Sequence, residues 1–168
     1  MQEQRAGTEA GRGTQAPATH HTLANDVYDL LHQIEIDAPP LRVFDALTRQ
    51  EELRRWWAAR SFLEPRRGSV AELGFCGRTV LFRTSVDELE APARLEWTCL
   101  GDDSEWAGTR LVWSLVPTHR GATELRLRHE GWRSTDGGFA ACNSTWGALM
   151  FRLKDHLEGR EPGPLFER

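Results

Sequence analysis

The sequence predicts an α+β fold in which a curved antiparallel sheet of about six to seven strands wraps around one long C-terminal helix. Two observations carry most of this prediction. Residues 123–130 alternate between a Thr, Leu, Leu, His face and a charged face, which is the period of a half-buried strand. Residues 138–158 instead repeat large apolar side chains at helical spacing. A terminal strand that leads into a long amphipathic helix indicates that the helix lies across the sheet, and a sheet of this length is expected to curl around it.

The first strand is expected to begin near residue 28. Residues 1–27, before it, are rich in small and polar residues and are expected to form a flexible tail. From Tyr28 to Asp37 apolar and polar side chains alternate, which predicts a strand. A helix over residues 23–31 is the competing interpretation, because its apolar residues also fit a 3.6-residue period. We prefer the strand.

Two short helices are expected after the first strand. Pro39 and Pro40 block strand pairing and pre-set the backbone for a helix start. The apolar face of the first helix consists of Leu41, Val43, Phe44 and Leu47. Thr48 is the expected N-cap of the second helix, and Glu51 would complete a capping box. The second helix carries Leu53, Trp56 and Trp57 and is expected to end near Ala58.

Strand-like runs separated by turn residues fill the middle of the chain and favour an antiparallel meander. They cover residues 62–64, 69–75, 79–89, 94–100, 109–116 and 123–131. The long helix then carries an apolar stripe made of Phe139, Cys142, Trp146, Leu149, Met150, Leu153 and Leu157. Residues 161–168 contain two prolines and are expected to be a frayed C-terminal tail. The predicted ligand-binding domain therefore spans residues 28–160.

Composition excludes several classes of function. A chain of 168 residues has the length of one domain, and its net charge of −4 argues against general nucleic-acid binding. No apolar run approaches the roughly 20 residues that cross a bilayer, and the N-terminus lacks a signal-peptide core, so a cytoplasmic protein without membrane insertion is expected. Cys76, Cys99 and Cys142 are expected to be reduced thiols, and no metal-ligand spacing or other cofactor motif is present.

Several strings of residues resemble the SRPBCC superfamily, which has the START-like helix-grip fold, and within it the homologues of the heat-shock-protein ATPase activator. The strings are residues 34–40 (IEIDAPP), 43–48 (VFDALT), Glu52-Leu53 with Trp56-Trp57, 92–97 (PARLEW), 123–127 with His129-Glu130-Gly131, and Trp146 with Leu149, Leu153 and 157–159 (LEG). The resemblance covers roughly residues 28–159. It implies a cavity between helix and sheet that commonly holds an apolar or aromatic small molecule. It does not imply one activity, because one fold hosts many functions.

The predicted ligand-binding residues are those expected to face this cavity from the strands and the long helix. They are Phe82, Thr84, Trp97, Trp113, Leu125, Leu127, His129, Cys142, Asn143, Trp146 and Met150. Aromatic walls with few polar groups are typical of pockets for flat apolar ligands. The same rings could equally fill a closed core. Trp56 and Trp57 are expected to pin the short helices to the end of the sheet, with at most one of them at the mouth of the cavity.

His129 is the candidate catalytic residue. A neutral imidazole facing the cavity could serve as a general base or bind a ligand, but a structural histidine bonded to a nearby group is the favoured interpretation. Asn143 lies beside the helix stripe and could orient a ligand or face solvent. The acidic residues Asp102, Asp103 and Glu105 are expected to form a solvated turn rather than an acid–base pair.

Three functions follow from these observations. The leading hypothesis is a binding protein for a small hydrophobic or aromatic molecule. The second is an enzyme of the polyketide cyclase or dehydratase kind, in which His129 acts as acid or base and Asn143 or Thr84 orients the substrate oxygen. The third is a chaperone accessory protein that resembles the ATPase activators. A homodimer is one expected assembly.

Overall fold

The computed structural model describes residues 27–75, 80–101 and 105–167. The elements are β1 (Tyr28–Ile36), α1 (Pro40–Thr48), α2 (Gln50–Trp56), β2 (Arg60–Phe62), β3 (Val70–Phe75), β4 (Val80–Glu90), β5 (Arg94–Leu100), β6 (Arg110–Pro117), β7 (Thr123–Trp132) and α3 (Gly138–Leu157). The expected N-terminal tail lies outside the described residues, apart from residue 27. None of the helices within those ranges is long and apolar enough to cross a membrane.

All described strands form one antiparallel sheet in the order β1-β7-β6-β5-β4-β3-β2. Strands β2 to β7 form a meander, and β1 pairs with β7, so β1 and β2 are the two edges. The predicted α+β architecture, with a helix-grip arrangement of seven strands and three helices, is therefore confirmed. The competing helix over residues 23–31 is wrong from residue 28 onward, because Leu30 to Ile36 pair residue by residue with β7.

The core lies between the sheet and α3. Alternate residues of β5, and of β7 from Thr123 to His129, are buried, as the two-residue period requires, and β6 also buries Val112 between Leu111 and Trp113. On α3, five members of the predicted stripe are buried: Cys142, Trp146, Leu149, Met150 and Leu153. Phe139 and Leu157, at the two ends of the stripe, are partly buried against the same core. The buried faces of these strands and the buried stripe of α3 therefore face each other across one apolar core.

The predicted capping box at the start of α2 is wrong. One residue, Arg49, separates the two short helices and occupies the N-cap position of α2 without a side-chain hydrogen bond. Thr48 belongs to the last turn of α1, where its buried hydroxyl donates to the carbonyl of Phe44 at 2.8 Å. A threonine inside a helix can bond back to the carbonyl four residues earlier, and that bond takes the hydroxyl away from the next helix. Leu41, expected on the apolar face of α1, is 57% exposed.

The strand predicted at residues 62–64 also differs, because β2 is Arg60–Phe62. The hydroxyl of Ser61 is buried and donates to the carbonyl of Ala58 at 2.7 Å, which ties the start of this strand to the end of α2. Pairing of Arg60 with Gly74 and Phe62 with Glu72 then fixes its register. The strand ends two residues earlier than the sequence pattern indicates.

The end of the chain is not frayed, which corrects the expectation for the described part of residues 161–168. The backbone N–H of Leu165 donates to the carbonyl of Trp56 at 3.1 Å, and that of Phe166 donates to Trp57 at 3.0 Å. Phe166 in turn accepts from Ala59 at 2.9 Å and forms a parallel bridge with Ala58. We call residues 161–167 the C-terminal strap. It closes one end of the interior beside the junction of α2 and β2.

Candidate functional site

An apolar cavity of about 290 Å³ lies beside the N-terminal half of α3, between the helix, the sheet and the C-terminal strap. Six parts of the chain contribute to its wall: the residue after α2, β4, the β5–β6 loop, β7, α3 and the strap. The lining residues are Trp57, Phe82, Trp106, His129, Gly138, Ala141, Cys142, Thr145, Trp146, Leu149 and Phe166. The lining contains no Asp, Glu, Lys or Arg, and His129 and Cys142 are its titratable side chains, so this wall is adapted to apolar contact.

Trp57 forms the floor of the cavity. Its ring centroid lies 5.2 Å from that of Trp146, 5.9 Å from Trp97 and 6.4 Å from Trp113. These offset-stacked and edge-to-face arrangements are the ones that aromatic quadrupoles favour. Trp57 therefore fills much of the gap between helix and sheet, and the cavity is the part that remains on the side of Phe166. The two interpretations of the aromatic residues, packed core and cavity wall, each describe a part of the same cluster.

Hydrogen bonds hold the ring of His129 in one tautomer. The hydroxyl of Thr109 donates to the carbonyl of Trp106 at 2.6 Å, so its oxygen accepts a hydrogen bond from Nε2 of His129 at 2.8 Å. On the other side of the ring, Nδ1 accepts from the indole N–H of Trp146 at 3.0 Å. Nε2 is thus the protonated nitrogen, and both ring nitrogens have partners.

Burial sets the protonation of this part of the site. Desolvation lowers the pKa of His129 from 6.5 to about 4, against a smaller opposite effect of the Asp29 carboxylate. Cys99 and Cys142 place their sulfur atoms 4.0 Å from Nε2 and 3.8 Å from Nδ1. Desolvation raises the pKa of each thiol to about 12. At neutral pH the ring and both thiols are therefore uncharged, and neither sulfur is an activated nucleophile.

The predicted site residues fall into three groups. Phe82, His129, Cys142 and Trp146 line the cavity. Thr84, Trp97, Trp113, Leu125, Leu127 and Met150 are buried in the surrounding core and do not line it. Asn143 is exposed and does not line the cavity. A ligand contact for the second and third groups stays a prediction.

Sequence reasoning missed two aromatic side chains of the wall, Trp106 and Phe166, and left a third, Trp57, among two candidates for the mouth. Trp57 was expected at the sheet end, Trp106 lies in a loop with no periodic pattern, and Phe166 lies in the segment expected to be frayed. Their signal in the sequence was their residue type alone. A large aromatic side chain in a polar loop or a tail is a candidate for burial, because leaving it in water forgoes a large apolar contribution.

Several polar atoms near the floor have no hydrogen-bond partner among the described residues. They are the indole nitrogens of Trp57, Trp97 and Trp113 and the hydroxyl of Thr84, all buried. An unpaired buried donor costs about 1–3 kcal/mol. The aromatic cluster thus tolerates local destabilisation, which is common at binding sites and uncommon in a core selected for stability alone.

Glu105 is exposed in a turn, as expected, and it also contacts the start of α3. Its carboxylate accepts a hydrogen bond from the backbone N–H of Gly138 at 2.6 Å, at the first turn of α3. A negative charge there also complements the helix dipole. Any side chain at Gly138 would overlap this carboxylate, so the glycine permits the contact. Asp102 and Asp103, grouped with Glu105 in the sequence analysis, lie outside the described residues.

A larger concavity, of about 690 Å³, lies elsewhere on the surface and differs in chemistry. It is lined by Arg54, Ala59, Arg60, Ser61, Phe62, Glu72 and Gly74, around the β2 edge of the sheet. Three of its seven lining residues are charged: Arg54, Arg60 and Glu72. The smaller cavity lies between helix and sheet and is lined almost entirely by apolar atoms, so it is the better candidate for a ligand site.

Comparison with known proteins identifies relatives of the described domain. A family model described as Activator of Hsp90 ATPase homolog 1-like protein matches residues 37–158. The Aha1 dimer from Colwellia psychrerythraea has 27% sequence identity and a TM-score of 0.72, over 80% of this chain and 98% of that one. CalU16 from Micromonospora echinospora has 17% identity and a TM-score of 0.66, over 82% and 80% of the two chains. DynU16, of the dynemicin biosynthetic locus, has 22% identity and a TM-score of 0.69, over 83% and 51%. The last two share the fold. No curated protein matches the sequence.

Proposed function

The chain belongs to the family of Activator of Hsp90 ATPase homolog 1-like proteins, and from this premise we propose that it binds a small, neutral, apolar or aromatic molecule in the cavity beside α3. The observation that carries the proposal is the composition of the wall. Aromatic rings from four separate parts of the chain, Trp57, Phe82, Trp106 and Phe166, converge with Trp146 of α3 on one space. Such convergence of apolar and aromatic side chains is typical of small-molecule sites.

Size and charge narrow the ligand class. The volume of about 290 Å³ is at the lower end of the roughly 300–1,000 Å³ typical of ligand pockets. A compact molecule of up to three rings fits such a space better than a long acyl chain. Because burial keeps His129 neutral and no lining residue among those described bears a fixed charge, an ionic ligand would lose its hydration without an opposite charge to replace it.

His129 serves in this proposal as a structural residue of the wall and not as an acid or base. An acid–base role needs a ring nitrogen whose proton or lone pair faces the ligand. Thr109 and Trp146 occupy both nitrogens. The ring therefore supports the indole of Trp146 in its position on the wall, and the enzymatic hypothesis gains no support from this residue.

The binding proposal can be tested with two alanines in the same turn of α3. Both alanines are exposed, but Ala141 lines the cavity and Ala140 does not. The probe is N-phenyl-1-naphthylamine, a neutral naphthalene that carries one phenyl ring and whose fluorescence rises in apolar surroundings. We expect saturable one-to-one binding to the wild-type protein, at least tenfold weaker binding to Ala141→Trp, whose indole would occupy the cavity, and unchanged binding to Ala140→Trp. Absence of saturable binding, or equal losses in the two variants, would contradict the proposal.

We also propose that the chain forms a homodimer. The relative from Colwellia psychrerythraea, 27% identical over 80% of this chain, is described as a dimer. The dimer is a separate proposal from ligand binding, and sedimentation velocity of the full chain over a range of concentrations tests it. A single species with the mass of one chain at every concentration would refute it.

A further inference from the structure

The free edge of β1 is divided into a covered and an uncovered half. Strand β1 pairs with β7 on one side only, so every second residue directs its backbone N–H and C=O away from the sheet. The N–H of Asp37 donates to the carboxylate of Glu158 at 3.0 Å, and the carbonyl of Glu35 accepts from the ammonium of Lys154 at 2.6 Å. These two bonds show that the odd-numbered residues face outward. They also show that α3 covers the C-terminal half of the edge.

The other half, which no described residue covers, has one large exposed apolar side chain on each side of the sheet. By the same alternation, Asp29, Leu31 and Gln33 direct their backbone groups outward, and no helix or loop within the described ranges bonds to them. Leu31 lies on the convex face of the sheet and is 67% exposed. Phe151, on α3, is 64% exposed.

The position of Phe151 beside this edge follows from the packing of α3 on β1. A Cβ at Gly147 would lie 4.0 Å from the imidazole of His32, so this face of the helix rests on β1. Phe151 is one helical turn beyond Gly147, and Lys154, on the following turn, reaches Glu35. Phe151 therefore lies between these two contacts. Leu31 and Phe151 thus lie on opposite sides of the sheet, next to backbone groups of β1 that no described residue bonds.

We propose that this half-edge pairs with the same half-edge of a second copy of the chain, antiparallel and centred on Leu31, so that two sheets become one. This inference names the surface of the homodimer proposed above and rests on that proposal. Leu31 lies opposite Leu31 of the second copy, Asp29 opposite Gln33, and Tyr28 opposite Ile34. In this register Ile34 lies opposite Tyr28, the first residue of β1 in the second copy. The backbone groups that Lys154 and Glu158 contact, at Glu35 and Asp37, lie beyond this pair. The paired length therefore matches the uncovered length.

A shift of register gives poorer arrangements. Because outward-facing residues must oppose outward-facing residues, the next register toward the C-terminus places Leu31 opposite Gln33 and Asp29 opposite Glu35. That register sets two carboxylates against each other and displaces the ammonium of Lys154 from the Glu35 carbonyl. In the centred register, Asp29 faces the uncharged Gln33 and keeps its own ion pair with Arg128 at 3.2 Å. Self-complementarity of the half-edge thus favours a second copy as the occupant.

Two exposed leucines provide a matched test. We expect sedimentation velocity to show a dimer for the wild-type chain and for Leu41→Lys, and an increase of at least tenfold in the dissociation constant for Leu31→Lys, because two like charges would face each other across the axis. Circular dichroism should show both variants folded. If the wild-type chain is a dimer and Leu31→Lys does not weaken it, the proposed dimer surface is wrong, whereas the homodimer itself is supported.

Cross-linking adds a second measurement that does not depend on weakening the dimer. Directly opposed residues of an antiparallel pair have Cα atoms about 5.5 Å apart, which a disulfide spans. In a Cys76→Ser background, Leu31→Cys should form a covalent dimer on mild oxidation, whereas Leu41→Cys should not. Equal cross-linking of both, or of neither, would overturn the proposal. The wild-type chain could also be monomeric while the amides of Leu31 and Gln33 resist hydrogen exchange. That result would show that another segment of the same chain pairs with this edge, and it would overturn the proposal as well.

Discussion

Replacement of His129 by Gln should change how the stability of the protein depends on pH. The folded protein holds this imidazole at a pKa of about 4, below the value of 6.5 for the unfolded chain. Below pH 6.5 the unfolded state therefore binds a proton that the native state does not. Stability is fully present above that pH and is lost as the pH falls toward 4. One pKa unit corresponds to about 1.4 kcal/mol, so the wild-type protein should lose about 3 kcal/mol through this residue alone.

Gln at position 129 retains a donor and an acceptor but cannot titrate. We expect His129→Gln to be less stable than the wild-type protein at about pH 7.5, and this deficit to shrink by about 2.5 kcal/mol at about pH 4.5. Urea unfolding followed by tryptophan fluorescence measures both free energies. The exposed His119 provides the control, since His119→Gln should follow the wild-type curve. If the deficit of His129→Gln were constant over this range, the imidazole would not be held neutral by burial, and our account of its role would be wrong.

Three further substitutions test contacts around the cavity. Thr109→Val should leave the N–H of His129 without an acceptor and lower the free energy of unfolding by about 1–3 kcal/mol, whereas Thr109→Ser should retain most of it in urea unfolding. Glu105→Ala should remove a hydrogen bond from the first turn of α3 and cost about 1 kcal/mol, a loss that added salt should reduce. Phe166→Ala should weaken binding of N-phenyl-1-naphthylamine at least threefold, while Phe151→Ala, outside the cavity, should leave it unchanged; equal effects would contradict the assignment of the strap to the wall.

The parts of the fold that could be predicted are those in which local pattern and tertiary environment agree. On β7, alternation alone identified the buried face, because a strand with one wet side leaves a charge at every second position. On α3, the stripe from Cys142 to Leu153 identified the buried face for the corresponding helical reason. His129 was recognised as inward-facing by the same alternation. Its hydrogen-bond partners were not, since Thr109 and Trp146 lie 20 and 17 residues away in sequence.

Thr48 shows why the starts of the short helices could not be predicted. A threonine followed three residues later by a glutamate matches a capping box, but the pattern does not state where the preceding helix ends. In the folded protein the buried environment of α1 extends to Thr48, and the bond to the Phe44 carbonyl satisfies its hydroxyl. Tertiary burial thus decided between two local bonds of similar strength.

The wall of the cavity depends on a contact between distant parts of the chain, and this is why only some of its residues could be predicted from the sequence. The strap bonds through its backbone to the residues that follow α2, and these bonds bring Phe166 to the same cavity as Trp57. Backbone bonds carry no side-chain signature, and about 100 residues separate the two segments, a distance over which periodicity gives no information. Since Trp57 also contacts Trp97 and Trp146, the strap, the floor and α3 form one connected unit. The proposed site therefore depends on residues 161–167 as well as on α3, because Phe166 forms part of the wall of the cavity.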